Sequence, residues 1–393
     1  MGFAPSGRLD ALSGYAFAEV RALVEKLSGQ GITPIDFGVG DPTAPTPELI
    51  RERLKTAVEE RASSGYPSYV GSREYLEAIA AWTKRRFGVE LDPGTEITST
   101  VGSKEGIFNF PEAVLNPGDI AIIPSPGYPP YTRGTLFAEG EIYNVPIRED
   151  NGFLVDFDSI PVDAANAAKI CWINYPNSPS GRVAPPEFFE RAVAFGKEHD
   201  VLIASDEAYT EIYFTGEPPH SLLEFARENV VVFQSMSKRS AMTGWRIGWT
   251  SGDPAVITAF KKLKTNIDSG TPTFIQDAAI AALEDESHVA SFRDEYREKR
   301  DVMCAAFRDA GLPDCTPEST LYIWQRAPEG MTSVGFAKRL LEPEIAVVAT
   351  PGEWISETCP DGANPGAGYV RFALVPSIER VREAAGRIRN MKW

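Results

Sequence analysis

The sequence predicts an α/β protein: a mostly parallel sheet flanked by helices, joined to a smaller α+β domain built from the N- and C-terminal segments. Three observations predict it. Short apolar runs of buried-strand length recur up to about residue 235. Helical patterns separate several of them, and strands alternating with helices imply a parallel sheet covered on both faces. After about residue 285 the pattern changes to one long helix, then strands, then a last helix.

The elements follow in order. "FAEVRALVEKL" has helical apolar periodicity, as do "PELIRERLKTAVEE" and "REYLEAIAAWTKRRF". "EITST", "DIAIIP", "KICWIN", "VLIASD" and "VVVFQS" are strand candidates. "PEFFERAVAFGKEH" follows Pro185 and opens with proline, which suits a first helical turn. "VASFRDEYREKRDVMCAAFRDA" is the long helix. Behind it come the strands "LYIWQR", "IAVVA" and "YVRFALV" and a terminal helix from Ser377. "CPDGANPGAG" is a loop by composition. There is no internal repeat and no low-complexity segment.

Composition narrows the function. The 393 residues are 43% hydrophobic and 24% charged, ordinary for a globular enzyme. A net charge of -16 disfavours nucleic acid or an anionic membrane as the partner, because phosphates repel such a surface. No apolar run approaches the ~18 residues of a membrane span. The start "MGFAPSGRLD" has no apolar leader core, so a cytoplasmic protein is expected. Cys171, Cys304, Cys315 and Cys359 form no Cys-x-x-Cys pair and lie far from the three histidines, so no metal is expected.

In open α/β sheets ligands bind at the carboxyl ends of the strands. Polar residues gather there. Asp206 ends "VLIAS"; Ser235 and Lys238 follow "VVVFQ"; Asn174 and Asn177 follow "KICWI"; Tyr128 follows "DIAIIPSPG". "TVGSKEG" lies where "EITST" turns into a helix, with backbone N–H groups placed to meet an anion. Each has a plain structural explanation alone: Asp206 as a helix cap, Tyr128 as core, Lys238 as a surface lysine. Together they match the needs of pyridoxal 5'-phosphate. That cofactor wants a lysine amine for its aldehyde and a carboxylate for its pyridine nitrogen. It also wants hydroxyls and an arginine for its phosphate, a donor for its phenolate oxygen and a flat partner for its ring. Lys238, Asp206, the Ser235/Ser237/Arg246 group, Tyr209 and Tyr128 answer those needs in turn. A dinucleotide site is disfavoured, since neither G-x-G-x-x-G after a strand nor G-x-x-x-x-G-K-[ST] occurs.

"SMSKRSAMTGWRIGW", "SDEAY", "NYPNSPSG", "SPGYPPY" and "YVRFALV" resemble, in order, the class I/II aminotransferases of the aspartate aminotransferase fold. The resemblance covers nearly the whole chain. It implies fold type I, a homodimer with active sites at the subunit interface, and a large cofactor domain beside a smaller mobile one. The corresponding division is 1–45 (arm and part of the small domain), 46–285 (large domain) and 286–393 (small domain). The resemblance makes Lys238 the lysine that bonds the cofactor and carries the proton. Asp206 then holds the pyridinium, and Tyr209 the phenolate oxygen. Arg246 and Ser235 bind the phosphate, with backbone groups of Ser103 and Lys104 and with Ser237 nearby. Tyr128 stacks on the ring. Tyr66 resembles the tyrosine that reaches the neighbouring subunit's phosphate. Arg371 resembles the arginine that forks onto the substrate carboxylate, with Gly40 backbone against the same group.

One motif departs from the family. The usual Asn-Pro-Thr-Gly reads Ser178-Pro179-Ser180-Gly181 here, so a serine stands where an asparagine donates to the phenolate oxygen. Asn177 next door is a candidate replacement with a differently directed side chain. The resemblance also implies a cis Ser178–Pro179 bond. For the substrate, "KTNIDSGTPTFIQ" and "SGYAFAEV", with Tyr15, resemble LL-diaminopimelate aminotransferases. "GANPGAGYVRFALVPSIERVREAAGRI" resembles N-succinyldiaminopimelate aminotransferases. These point to lysine biosynthesis with a 2-oxoglutarate/glutamate pair, and put Tyr15 and Asn266–Thr273 on the distal side of the substrate. The alternatives are a general aspartate, alanine or aromatic aminotransferase, a cysteine β-lyase on the same fold, and a catalytically silent module. Retention of Lys238, Asp206, Arg246 and Arg371 argues against the last.

Overall fold

The computed structural model describes residues 3–9, 18–42 and 44–393. Its strands are β1 (Ile35–Asp36), β2 (Ile97–Thr100), β3 (Ile120–Ser125), β4 (Glu141–Pro146), β5 (Ala168–Asn174), β6 (Leu202–Asp206), β7 (Val230–Ser235), β8 (Gly248–Gly252), β9 (Tyr322–Arg326), β10 (Val347–Val348), β11 (Thr350–Pro351) and β12 (Tyr369–Ala373). Seven form one sheet in the order β2-β8-β7-β6-β5-β3-β4. Only β8 runs against its neighbours. The apolar runs are continuous because both faces of this sheet are covered. Successive residues serve opposite cores: in β7, Val230 and Val232 pack on one side, Val231 and Phe233 on the other. β5 repeats this with Cys171 and Ile173 against Ile170 and Trp172.

The expected helices lie at Ala18–Gly29, Glu48–Glu60, Arg73–Phe87 and Pro186–His199. Ser72 caps the third by accepting from the Tyr75 N–H, and Gly88 ends it at a φ of 71°. Four strands were not expected: β1, β4, β8 and β11. "GWTSG" is short, polar and bounded by glycine, so it carries no strand pattern; its partners β2 and β7 impose one.

A separate apolar core, with Phe37, Phe307, Phe336 and Phe372 among its members, lies under the C-terminal third. It joins the antiparallel sheet β11-β12-β9 to the long helix Ser287–Asp309 and the terminal helix Ile378–Arg389, which Ser377 caps. The N-terminal segment completes it: β1 pairs in parallel with β10, Ile35 opposite Val347. The two parts meet at a clasp, where the Ser125 hydroxyl donates to the Glu357 carbonyl and accepts from the Glu357 N–H, both at 2.8 Å. Among the described residues, no helix is long and apolar enough to cross a membrane.

Candidate active site

β7, β6, β5 and β3 are neighbours, so their carboxyl ends lie side by side. The register sets Asn174 opposite Asp206, and Asp206 opposite Phe233. This brings together the ends that the sequence marked. Asp206 is 4% exposed. One carboxylate oxygen accepts the Tyr131 hydroxyl at 2.7 Å, and the other accepts the Ala208 N–H at 3.2 Å. Burial pushes its pKa up to about 6, against those two donors. The Asn174 amide donates to the Asp206 carbonyl and fixes the strand end.

Lys238 sits on the short helix Met236–Arg239, which the Ser235 hydroxyl caps by accepting from the Ser237 N–H. Its Nζ donates to the Gly40 carbonyl at 2.6 Å. Burial lowers its pKa, and the Arg371 and Arg246 cations add to that against Tyr322 and Asp41. Ser235 and Ser237 are buried beside it.

Arg246 has a left-handed backbone, φ 55°. Its guanidinium donates to the Thr243 carbonyl at 2.7 Å and the Val101 carbonyl at 3.4 Å. It lies against Gly102, where a Cβ would fall 2.4 Å from Nη2. Glycine at 102 is therefore what lets the arginine approach the turn that leads into Ser103–Asn109. Ser103 is half-buried and Lys104 exposed at the start of that helix. Tyr128 is 38% exposed, edge-on to Tyr131 at 5.8 Å.

Arg371, on β12, comes in from the second core. Its Nη2 donates to the Gly38 carbonyl at 3.2 Å, and its Nε is buried with no partner. Among the described residues no carboxylate pairs with it. A half-buried guanidinium left in that state suits an incoming carboxylate.

Ser178 donates its N–H to the Asn174 side-chain oxygen at 2.9 Å, and the Ser178–Pro179 bond is cis. Asn177 is buried beside it. Its amide faces into the turn, accepting the Ser180 hydroxyl at 2.6 Å and donating one hydrogen to the Asn174 carbonyl at 3.2 Å. Tyr66 is 87% exposed and has no hydrogen bond or ring contact to the cluster. Asn266 turns back to its own helix, donating to the Lys262 carbonyl. Tyr15 lies outside the described residues.

Two tyrosines escaped the sequence reading. Tyr131 is wholly buried and stacked on Trp172 at 4.8 Å, which aims its hydroxyl at Asp206. Its place in "GYPPY", three residues after Tyr128, was the available signal. Tyr322 puts its hydroxyl 3.2 Å from that of Tyr209. Nothing in "LYIWQR" marks it apart from strand alternation.

Residues 32–388 match the family described as aminotransferase class I and II. The chain belongs to the class I and II aminotransferases. An LL-diaminopimelate aminotransferase of Aquifex aeolicus is 46% identical over 98% of this chain and 99% of the relative. Among solved structures, substrate-bound BacF from Bacillus subtilis superposes with a TM-score of 0.90 at 35% identity, covering 99% of this chain and 98% of that one. An aspartate aminotransferase of Thermus thermophilus, a single mutant, gives 0.88 at 29%, covering 99% of each. As an aminotransferase the chain moves an amino group between an amino acid and a 2-oxo acid. Both substrates carry the α-carboxylate that an aminotransferase must hold while the neighbouring carbon reacts.

Proposed function

We propose that the chain is a pyridoxal 5'-phosphate-dependent aminotransferase, with LL-diaminopimelate as amino donor and 2-oxoglutarate as acceptor. We read it as a cytoplasmic homodimer with a large domain, 46–285, and a small domain, 286–393, which residues 1–45 complete. The observation that carries the chemistry is the convergence of Lys238, Asp206 and the unpaired Arg371 at one end of the sheet. The relative at 46% identity supports the substrate.

The donor set fits the cofactor. Lys238 would bond its aldehyde carbon, and Asp206 would face its pyridine nitrogen. Arg246, Ser235, Ser237 and the backbone of Ser103 and Lys104 would hold its phosphate, where Gly102 keeps the approach open. Tyr128 would cover the ring. Tyr209 would donate to the phenolate oxygen, and the Ser178 hydroxyl, which has no partner among the described residues, would add a weaker contact than asparagine. Once bound, the cofactor supplies an electron sink for the bond broken at the substrate Cα.

Arg371 binds the α-carboxylate as a fork, with Gly40 backbone beside it, and so fixes which Cα bond faces Lys238. Released by the incoming substrate amine from its own bond to the cofactor, the Lys238 amine would take the Cα proton and deliver it two atoms further along. Its lowered pKa keeps the neutral, basic form available. A pyridinium facing Asp206 would favour its ionised form and offset the upward push of burial. Tyr66, exposed on its own chain, would complete the partner subunit's phosphate site.

A donor panel with 2-oxoglutarate tests the reading. LL-diaminopimelate should give glutamate faster than N-succinyl-LL-diaminopimelate, aspartate, alanine or phenylalanine. An equal response to alanine would remove the substrate assignment. Ammonia and pyruvate released from cysteine without glutamate would indicate a lyase.

A further inference from the structure

We propose that Tyr322 is a positioning residue that ties the Arg371 guanidinium to the Tyr209 hydroxyl, so that one phenol sets both. The inference rests on the preceding reading, in which Arg371 takes the substrate carboxylate and Tyr209 the cofactor's phenolate oxygen.

Four parts of the chain converge on this side chain, which is 4% exposed at the start of β9. Its hydroxyl is 3.2 Å from that of Tyr209, which follows β6. Its ring lies under Arg371, with the guanidinium carbon 4.6 Å from the ring centre. A Cβ on Gly40 would stand 2.0 Å from its hydroxyl oxygen, so residue 40 must be glycine while Tyr322 is here. The Gly40 carbonyl in turn accepts the Lys238 amine.

The ring and the hydroxyl do different work. The ring is a platform for a cation. Apart from it, the Gly38 carbonyl is the one hydrogen-bond partner of Arg371 among the described residues. The hydroxyl fixes where the Tyr209 hydroxyl stands. Burial pushes the Tyr322 phenol up, but the Arg371 and Lys238 cations and the Tyr209 hydrogen bond outweigh it and leave it below its usual value. Burial and the Tyr322 phenol push Tyr209 the other way, upward. The two hydroxyls share one hydrogen bond, which holds the Tyr209 oxygen in place. Held there, Tyr209 keeps one position from which to meet the cofactor's phenolate oxygen. A phenylalanine at 322 would keep the platform and lose this hold.

Two substitutions separate the two roles. Tyr322→Phe should raise the midpoint of the pH titration of the bound cofactor's visible absorption by about half to one unit, the worth of one hydrogen bond. It should lower kcat about three- to tenfold and change KM for the amino donor less than about twofold. Tyr322→Leu should also raise that KM about tenfold, since Arg371 loses its platform. A Phe variant with wild-type absorption titration and kcat overturns the hydroxyl's role. A folded Leu variant with wild-type KM overturns the platform's. The underlying reading is judged separately, on the wild-type absorption spectrum and donor panel. Because every donor brings the same α-carboxylate, the Tyr322 comparison is made on whichever donor the wild type uses.

Discussion

At the scale of single residues, chemistry separates from packing by whether a polar group is left with work to do. Lys238 should be the lysine that borohydride labels when pyridoxal phosphate is bound. Lys238→Ala should lose turnover by at least about 10⁴-fold, having lost both nucleophile and proton carrier; peptide mapping that finds the label elsewhere would end that assignment. Asp206 gives a prediction on the cofactor-free protein. Its carboxyl rises from 3.8 unfolded to about 6 folded, so the folded state holds the proton more tightly. The cost of ionising it is absent below pH 3.8, grows through that window and is complete above about pH 6. Two units correspond to about 3 kcal/mol. Cofactor-free Asp206→Asn should therefore melt higher than wild type at pH 8 and alike near pH 4, while the loaded variant loses orders of magnitude in turnover. Equal melting at pH 8 would mean that Asp206 carries no burial cost. Lys238, Asp206, Arg246 and Arg371 were legible because strand ends and motif spacing announce them. Tyr131 and Tyr322 were not, because their partners lie 75 and 113 residues away and only the fold brings them into contact.

At the scale of elements, the connection from the helix Pro254–Lys264 to the helix Thr273–Glu284 is held by a buried ion group. Lys264 is 0% exposed and donates to Asp268 at 2.7 Å and Glu105 at 3.2 Å. Glu105 also accepts the Val101 N–H at the turn where Arg246 lies. Asp268 accepts the Gly270 N–H, and Thr271 donates to the Thr100 and Arg246 carbonyls. Lys264→Met should cost about 3–5 kcal/mol, by stranding two carboxylates in a poorly solvated place. Adding Glu105→Gln and Asp268→Asn should recover most of it. Denaturant melts of the single and triple variants check this, and a triple variant no better than the single would mean that packing alone is lost. The sequence marked "NIDSGTPT" as a substrate segment; the described contacts show it tied to the Arg246 side of the site. Helix and strand identity was legible where periodicity is strong, as in Arg73–Phe87. It was not legible in β8, whose extended form comes from β2 and β7 rather than from its own residues.

At the scale of the whole molecule, the proposal of a homodimer has a sharp test. Lys238→Ala keeps Tyr66, and Tyr66→Ala keeps Lys238. If Tyr66 serves the partner, a hybrid of the two variants contains one intact site and one doubly damaged site. Co-refolded mixtures should then regain about half of wild-type activity per hybrid dimer, from parents that are each impaired. Activity that remains the average of the parents would place Tyr66 at its own chain's site. The α/β class and the parallel sheet could be read before any coordinates, since alternating cores leave continuous apolar runs. The partnership of first and last segments could be anticipated only as a change of pattern. No local signal in "PIDFG" says that its companion is "AVVAT".

That partnership has a consequence for how the protein is made. β1 is synthesised early, yet its pairing partner β10 comes 312 residues later, from Ile35 to Val347. At ~5–20 residues per second, the ribosome takes on the order of 15–60 s to deliver it. During that interval all seven strands of the large sheet emerge, so this sheet can close around its own cores first. The strand β1, just ahead of Gly40, waits for its partner until Val347 is made. Catalytic competence therefore waits for β10 and for Arg371 on β12, and a polypeptide truncated before Val347 should show no turnover.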